Sequence, residues 1–186
     1  MEDGEIIDLF WTRLESAISE TENKYGAYCK TIAMNILGDR EDSEECVNDA
    51  YLQTWNSIPP QRPKLLRPYL GRITRNISIN RYKARGAKKR GGGEVKLLLS
   101  ELEDCVPSGA DVETEYEAGV IAKAISSFLY TAGSENRLVF VRRYWYADSI
   151  AAIAARYGLK ESNVKTILFR TRNKLKEYLE KEGITI

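Results

Sequence analysis

Histidine is absent from the 186 residues, and cysteine occurs only at Cys29, Cys46 and Cys105, never as a C-x-x-C pair. A zinc site built from Cys and His is thereby excluded. Three scattered thiols make no disulfide framework either, and they read as small buried hydrophobes. Without histidine the chain lacks the commonest general base near neutral pH, which weighs against a catalytic role. No apolar run approaches the ~18 residues of a membrane span. The N-terminus, Met1 to Asp8, is acidic where a secretory signal would be basic and then apolar. The expected setting is therefore cytoplasmic, with no membrane insertion. Hydrophobic residues at 43% and aromatics at 10% are too many for a disordered chain.

Charge of one sign is missing over long stretches, although the net charge is only +1. Residues 1–58 hold four basic and thirteen acidic residues, whereas residues 59–93 hold eleven basic and no acidic ones. Residues 94–135 hold two basic and nine acidic residues, and residues 136–186 eleven and five. Two basic segments set between acidic ones predict two polyanion contacts and a separate cationic partner.

The periodicity is helical almost throughout. Ile6, Ile7, Phe10, Leu14 and Ile18 recur at helical spacing, and a second helix is expected from about Tyr25 to Leu37, stopped by Gly38. Asp39 or Asp42 can cap a third, ending near Trp55. "IPPQRP" then forces a loop. A fourth helix is expected from about Pro68, with Leu70, Ile73 and Ile77 on its apolar side, ending at "GAKKRGGG". Residues 91–114 read as a linker with a short helix, "VKLLLSELEDCV", inside it. Helices are expected again at Tyr116–Tyr130, Glu135–Tyr146, Ser149–Tyr157 and Glu161–Glu182. The predicted fold is all-α: two small helical domains, 1–90 and 115–186, joined by a flexible linker.

The last two predicted helices meet at Gly158, which can take the left-handed backbone of a helix-turn-helix corner. Ile150, Ile153 and Ala154 fit the first helix, Leu159 follows the turn, and Val164 and Ile167 lock the second. At 100° per residue, Ser162, Asn163, Lys165, Thr166, Phe169 and Arg170 fall away from the side formed by Val164, Leu168, Thr171 and Leu175. Short polar groups can bond base edges, and Lys and Arg can meet phosphates. Phe169 reads either as a contact to a thymine methyl or as a packing residue.

Two other stretches carry chemistry. The helix from Pro68 clusters Arg72, Arg75, Ile79, Tyr82 and Lys83 away from its apolar stripe, with aromatics at both ends, Tyr69 and Tyr82, and Arg81 and Arg85 toward the other flank; Lys88, Lys89 and Arg90 follow. Cations track phosphates and aromatic faces stack on unpaired bases, so this reads as a surface for opened nucleic acid. The neighbouring Asn56–Leu66 loop could hold a flipped base. In "GDREDSEECVNDAYLQTW", Val47, Ala50, Tyr51 and Thr54 form the expected buried stripe, with Asp42, Glu45, Asp49, Leu52 and Gln53 pointing away. An apolar Leu52 on an acidic face suits a protein contact; a plain solvated face fits the acids equally well. The stretch lacks the alternation of a calcium loop.

In order, these stretches resemble the sigma-70 family of bacterial RNA polymerase sigma factors, in its small two-domain ECF-like form, from about Ile18 to Leu179. "ILGDREDSEECVNDAYLQTW" resembles the region 2 helix that docks on core polymerase. "PYLGRITRNISINRYKARGAKKR" is similar to the helix that melts the promoter and reads its minus-ten element. The segment from Asn136 to Leu179 resembles region 4, a helix-turn-helix of winged-helix-like or sigma type that reads the minus-thirty-five element. The resemblance implies that Asp42, Glu45, Asp49, Leu52 and Gln53 bind core RNA polymerase. It assigns Tyr69, Arg72, Arg75, Asn76, Tyr82, Lys83 and Arg85 to the opening promoter, and Ser162, Asn163, Lys165, Thr166, Phe169 and Arg170 to double-stranded upstream DNA. It implies no catalytic residue, metal or cofactor, because polymerase supplies the chemistry. An anti-sigma factor is a further partner that the family implies. Two rival readings are a stand-alone helix-turn-helix regulator and a DNA-processing enzyme with a helix-turn-helix tail.

Overall fold

The apolar rhythm from Ile6 to Ile18 does not run through one helix, because the backbone turns left-handed at Arg13 (φ 58°). The structure, a computed structural model, describes residues 1–85, 92–107 and 115–184. Helix α1 (Asp3–Trp11) ends there and α2 (Ser16–Leu37) begins. Leu14 N donates to Leu9 O at 2.9 Å and Arg13 N to Phe10 O at 3.1 Å, a Schellman closure with arginine where glycine is usual. A left-handed arginine costs about 1 kcal/mol. Its guanidinium offsets this by donating to Trp55 O at 2.6 Å and lying 5.2 Å over the Trp55 ring. The expected second helix therefore starts earlier, since Ser19 to Lys24 contains no breaker. It ends at Gly38 (φ 64°), whose N–H closes on Met34 O at 2.9 Å.

Asp39 caps α3 (Arg40–Ser57), accepting from Asp42 N at 3.0 Å. Helix α4 (Leu66–Ala84) starts two residues before Pro68, which still falls in the first turn, where N–H groups lack intrahelical acceptors. Its N-cap, Leu65, has no side chain able to cap. Asp3 supplies the cap from α1, accepting from Leu66 N at 3.0 Å while also taking Lys24 Nζ at 2.8 Å and the Tyr25 hydroxyl. One carboxylate thus ties α1, α2 and α4 around a core that includes Phe10, Cys29, Val47, Tyr51 and Leu70.

Burial pushes the Asp3 carboxyl up, but hydrogen bonds from Lys24, Tyr25 and Leu66 outweigh it and leave the pKa below the ordinary carboxylate value. A lowered folded pKa stabilises above the ordinary value, and this is lost as pH falls through the lowered one. Asp3→Asn is expected to cost roughly 1–2 kcal/mol near neutral pH. Denaturant melts of both chains between about pH 7 and about pH 2 should show the gap closing with acid; a gap independent of pH would contradict this role.

The described chain divides into two units, Met1–Gly91 and Gly92–Ile186. The second holds α5 (Gly92–Glu103), α6 (Glu115–Thr131), α7 (Ser134–Tyr144), α8 (Ile150–Tyr157) and α9 (Glu161–Lys181). Segment 91–114, read from the sequence as a linker, contributes α5, and α5 packs on α7 within this unit. Residues 108–114 of that segment, and the basic run Lys88, Lys89 and Arg90, lie outside the described residues. Among the described residues there is no strand, so the helix-turn-helix carries no wing there. All three cysteines are free and buried, as their spacing suggested; burial raises each thiol's pKa, that of Cys105 to about 11. No described helix is long and apolar enough to cross a membrane.

Candidate functional site

Three surfaces follow from these elements. The C-terminal one is built on α8 and α9. Ser149 caps α8 by accepting from Ala152 N at 3.1 Å. Gly158 (φ 64°) turns the corner, and Leu159 N reaches back to Ala154 O at 3.0 Å. Open space surrounds the position a Cβ would take at Gly158, so backbone conformation, not crowding, favours glycine. Ile150, Ile153 and Ala154 are buried where α8 packs on α9, and Val164, Leu168, Thr171, Leu175 and Leu179 form the buried stripe of α9. That packing turns the opposite face outward. Ser162, Asn163, Lys165, Thr166, Phe169 and Arg170 are all exposed, and Phe169 at 58% is no packing residue. The six side chains that sequence spacing picked therefore share one open helix face of donors, cations and an aromatic ring.

The α4 surface is more divided. Arg72, Asn76 and Lys83 are exposed and, at 100° per residue, lie within about 40° of one another. Tyr82 is half-buried, and so is Arg75, whose guanidinium burial pulls below its ordinary pKa. Tyr69 is fastened at its edge: its hydroxyl donates to Gln61 Oε1 at 2.9 Å and shares a hydrogen bond with Ser57 Oγ at 2.7 Å. The Arg72 guanidinium lies 5.7 Å over the same ring. The proline loop is itself pinned to α1, where Arg62 pairs with Asp8 and lies 5.2 Å over Trp11. Tyr69 and the loop are thus fixed in place, with Tyr69 beside Arg72.

One residue faces other than its spacing suggested: Asp42 is buried at 7%, not pointed outward. Arg85 lies on the flank its spacing gave it and pairs with Asp42, away from the Arg72 line with which the resemblance grouped it. The cause is Arg81, on the far side of α4, which enters the acidic stripe of α3. Its guanidinium lies 2.6 Å from Glu45, 3.3 Å from Asp49 and 3.7 Å from Asp42. Hydrogen bonding and charge hold Glu45 below the ordinary carboxylate value and Arg81 above its own. Glu45, Asp49, Leu52 and Gln53 remain exposed, Leu52 at 57%. The open α3 face is therefore a half-neutralised acid pair followed by an apolar and an amide side chain, a surface suited to a mixed protein contact. Arg81 is the residue that spacing alone missed. Its acids stand 32 to 39 residues away in sequence, and only its exclusion from the polar side of α4 hinted at another partner.

Among the described residues no cluster of Cys, Asp and Glu is placed to hold a metal ion. What the geometry does offer is a class of protein: a helix-turn-helix in one unit, and in the other a basic helix lying on an acidic one. Residues 23–88 match the family model of sigma-70 region 2, and residues 134–177 match that of sigma-70 region 4. Together the matches cover more than half of the chain, which belongs to the sigma-70 family of RNA polymerase sigma factors, of ECF-like type.

The chain is 26% identical, over 76% of its length, to the probable RNA polymerase sigma factor RfaY of Xanthomonas campestris pv. campestris. It is 24% identical over 82% of its length to the ECF sigma factor SigE of Mycolicibacterium smegmatis, and over 88% to SigL of Mycobacterium tuberculosis. It spans 35% of the first relative, 57% of the second and 89% of the third. Among solved structures, CnrH in complex with the cytosolic domain of CnrY is similar at 19% identity and a TM-score of 0.45, covering 96% of this chain and 97% of the other.

Proposed function

We propose that this protein is a sigma factor that directs core RNA polymerase to promoters and assists their melting. One observation carries the reading: region 2 and region 4 matches occur in one chain, each within its own helical unit. In this reading α3 docks on polymerase through Glu45, Asp49, Leu52 and Gln53. Asp42 and Arg85 brace α3 against α4 instead of meeting partners. Arg72, Asn76 and Lys83 follow the phosphates of the opening strand, Arg75 and Tyr82 flank them, and Tyr69 with its loop receives an unstacked base. Aromatic stacking of this kind is worth about 1–3 kcal/mol per base, enough to bias a melted segment toward the open form.

Meanwhile α9 reads double-stranded DNA upstream. Polymerase fixes the spacing between the two units and supplies the chemistry, so the chain itself binds and positions. The functional division falls near residue 91, with α5 packed on the upstream-reading unit. A cytoplasmic location and control by an anti-sigma factor belong to the same reading.

Co-purification with core polymerase tests it. The chain is expected to be retained, and Leu52→Ala with Gln53→Ala should weaken retention about tenfold, as a loss of about 1.4 kcal/mol gives. The pair avoids Asp49, whose removal would also take one of the three acids from around Arg81. Unchanged retention, with thermal melting also unchanged, would show that this face is idle.

A further inference from the structure

Helix α1 lies before the residues that the region 2 model matches, 23–88, and its contacts converge on one target. Its apolar side, Ile6, Ile7 and Phe10, is buried in the core. Its remaining side chains grip the Asn56–Leu66 loop at entry, middle and exit. At the entry, Arg13 Nη1, in the turn after α1, donates to Trp55 O at 2.6 Å, and the Phe10 and Trp55 rings meet edge to face with centroids 6.2 Å apart. In the middle, Asp8 pairs with Arg62, whose guanidinium lies 5.2 Å over Trp11. At the exit, Asp3 accepts from Leu66 N at 3.0 Å. Asp8 stands in the last turn of α1, where an acid opposes the helix dipole. Arg13 holds a left-handed backbone that glycine would take at less cost. Each is a poor choice for α1 and a good one for the loop. From the other side Ile58 is fully buried, and the Tyr69 hydroxyl bonds Ser57 and Gln61. The loop is thus fixed between α4 and an element that lies outside the family match.

We propose that Asp8 and Arg13 are positioning residues for promoter recognition: through Arg62 and Trp55 they set the loop that receives the unstacked base, and with it which base is accepted. The proposal rests on the reading of this loop as the base's seat and adds α1 as its support. A seat tells one base from another only while its polar groups keep their geometry to within about 0.5 Å. A loosened seat loses its bonds to the right base and tolerates the others equally. Asp8 and Arg62 are both more than half exposed, and an ion pair so placed adds little to global stability. Releasing it therefore frees the loop without unfolding the unit, which separates positioning from mere structural support.

The test is transcription by core RNA polymerase with the full-length protein, on promoters that carry each of the four bases in turn at every position of the opened segment. The unaltered chain is expected to prefer one base at one such position by at least about fivefold. With Asp8→Ala and Arg13→Gly, changes that both suit the local backbone, that preference should shrink to about twofold or less. Preferences within the upstream element should stay as they were. Asp8→Glu, which keeps a carboxylate within reach of Arg62, should retain the preference. Thermal melting of the double variant should stay within about 5 °C of the unaltered chain; where it falls further, Asp8→Ala alone takes its place with the same expectation. A double variant that keeps the full preference would overturn the proposal, and so would one that loses transcription equally on all four bases. Promoter-specific transcription by the unaltered chain with no base preference in the opened segment would also overturn it alone. No promoter-specific transcript from the unaltered chain would overturn the functional reading and the proposal with it.

Discussion

Replacing Arg143 by alanine is expected to destabilise the C-terminal unit by about 3–5 kcal/mol, the usual result of removing one partner of a buried ion pair. Three losses combine. The guanidinium donates to Asp148 O at 3.1 Å, next to the Ser149 cap that starts the helix-turn-helix. It neutralises Glu94 and lies 3.6 Å from Glu101, which is itself only 15% exposed. Its removal also leaves a cavity where a side chain of zero exposure stood. Glu94, at 55% exposed, can return to water, whereas Glu101 keeps only Tyr144 and Arg172. Arg143→Met should cost less, because an apolar chain of similar length fills the space and removes the buried charge. Hydrogen exchange in α7 and α9 measures the difference directly. Exchange within about 1 kcal/mol of the unaltered chain would mean that the buried guanidinium is not a keystone of the unit.

The second large effect is functional. Lys165→Ala with Arg170→Ala removes two cations from the open face of α9 and touches nothing buried. A base-reading contact is worth about 1–3 kcal/mol, so roughly 100-fold lower use of promoters that depend on an upstream element is expected. Thermal melting should not move. Transcription from templates with and without the upstream element separates the outcomes. The double variant should fall to the level of the element-less template and lose little on that template. An equal response of both proteins to the element would remove α9 from the account.

How much of this the residues announced depended on the range of the signal. The helix-turn-helix was legible because its instructions are local: a glycine corner and apolar residues every third or fourth position. The open face of α9 followed from the same periodicity. The α4 cations were legible as a block, but their division was not. Arg72 and Arg81 look alike in sequence, yet nine residues turn a helix through about half a circle, which sends one to solvent and the other into α3. Asp42 was misread for the same reason. It sits one turn before buried Cys46, a position at the edge of the apolar stripe, and only a cation arriving from α4 makes its burial tolerable.

The break at Arg13 was hidden because arginine carries no left-handed signature; its cost is met by Trp55, 42 residues away. The docking of α5 was hidden because a stripe with two acids and two aliphatics reads equally as a linker helix until Arg143 and Arg172 are placed beneath it.

A run-off transcription assay tests the central claim most directly: core RNA polymerase, this protein, and a library of promoter fragments. Core enzyme alone should give no discrete starts. Addition of the protein should give transcripts beginning at defined positions on a subset of templates, and Arg72→Ala with Lys83→Ala should suppress them. Polymerase that gains no promoter-specific transcript on any template, while the protein still binds DNA, would contradict the account and leave a helix-turn-helix regulator in its place.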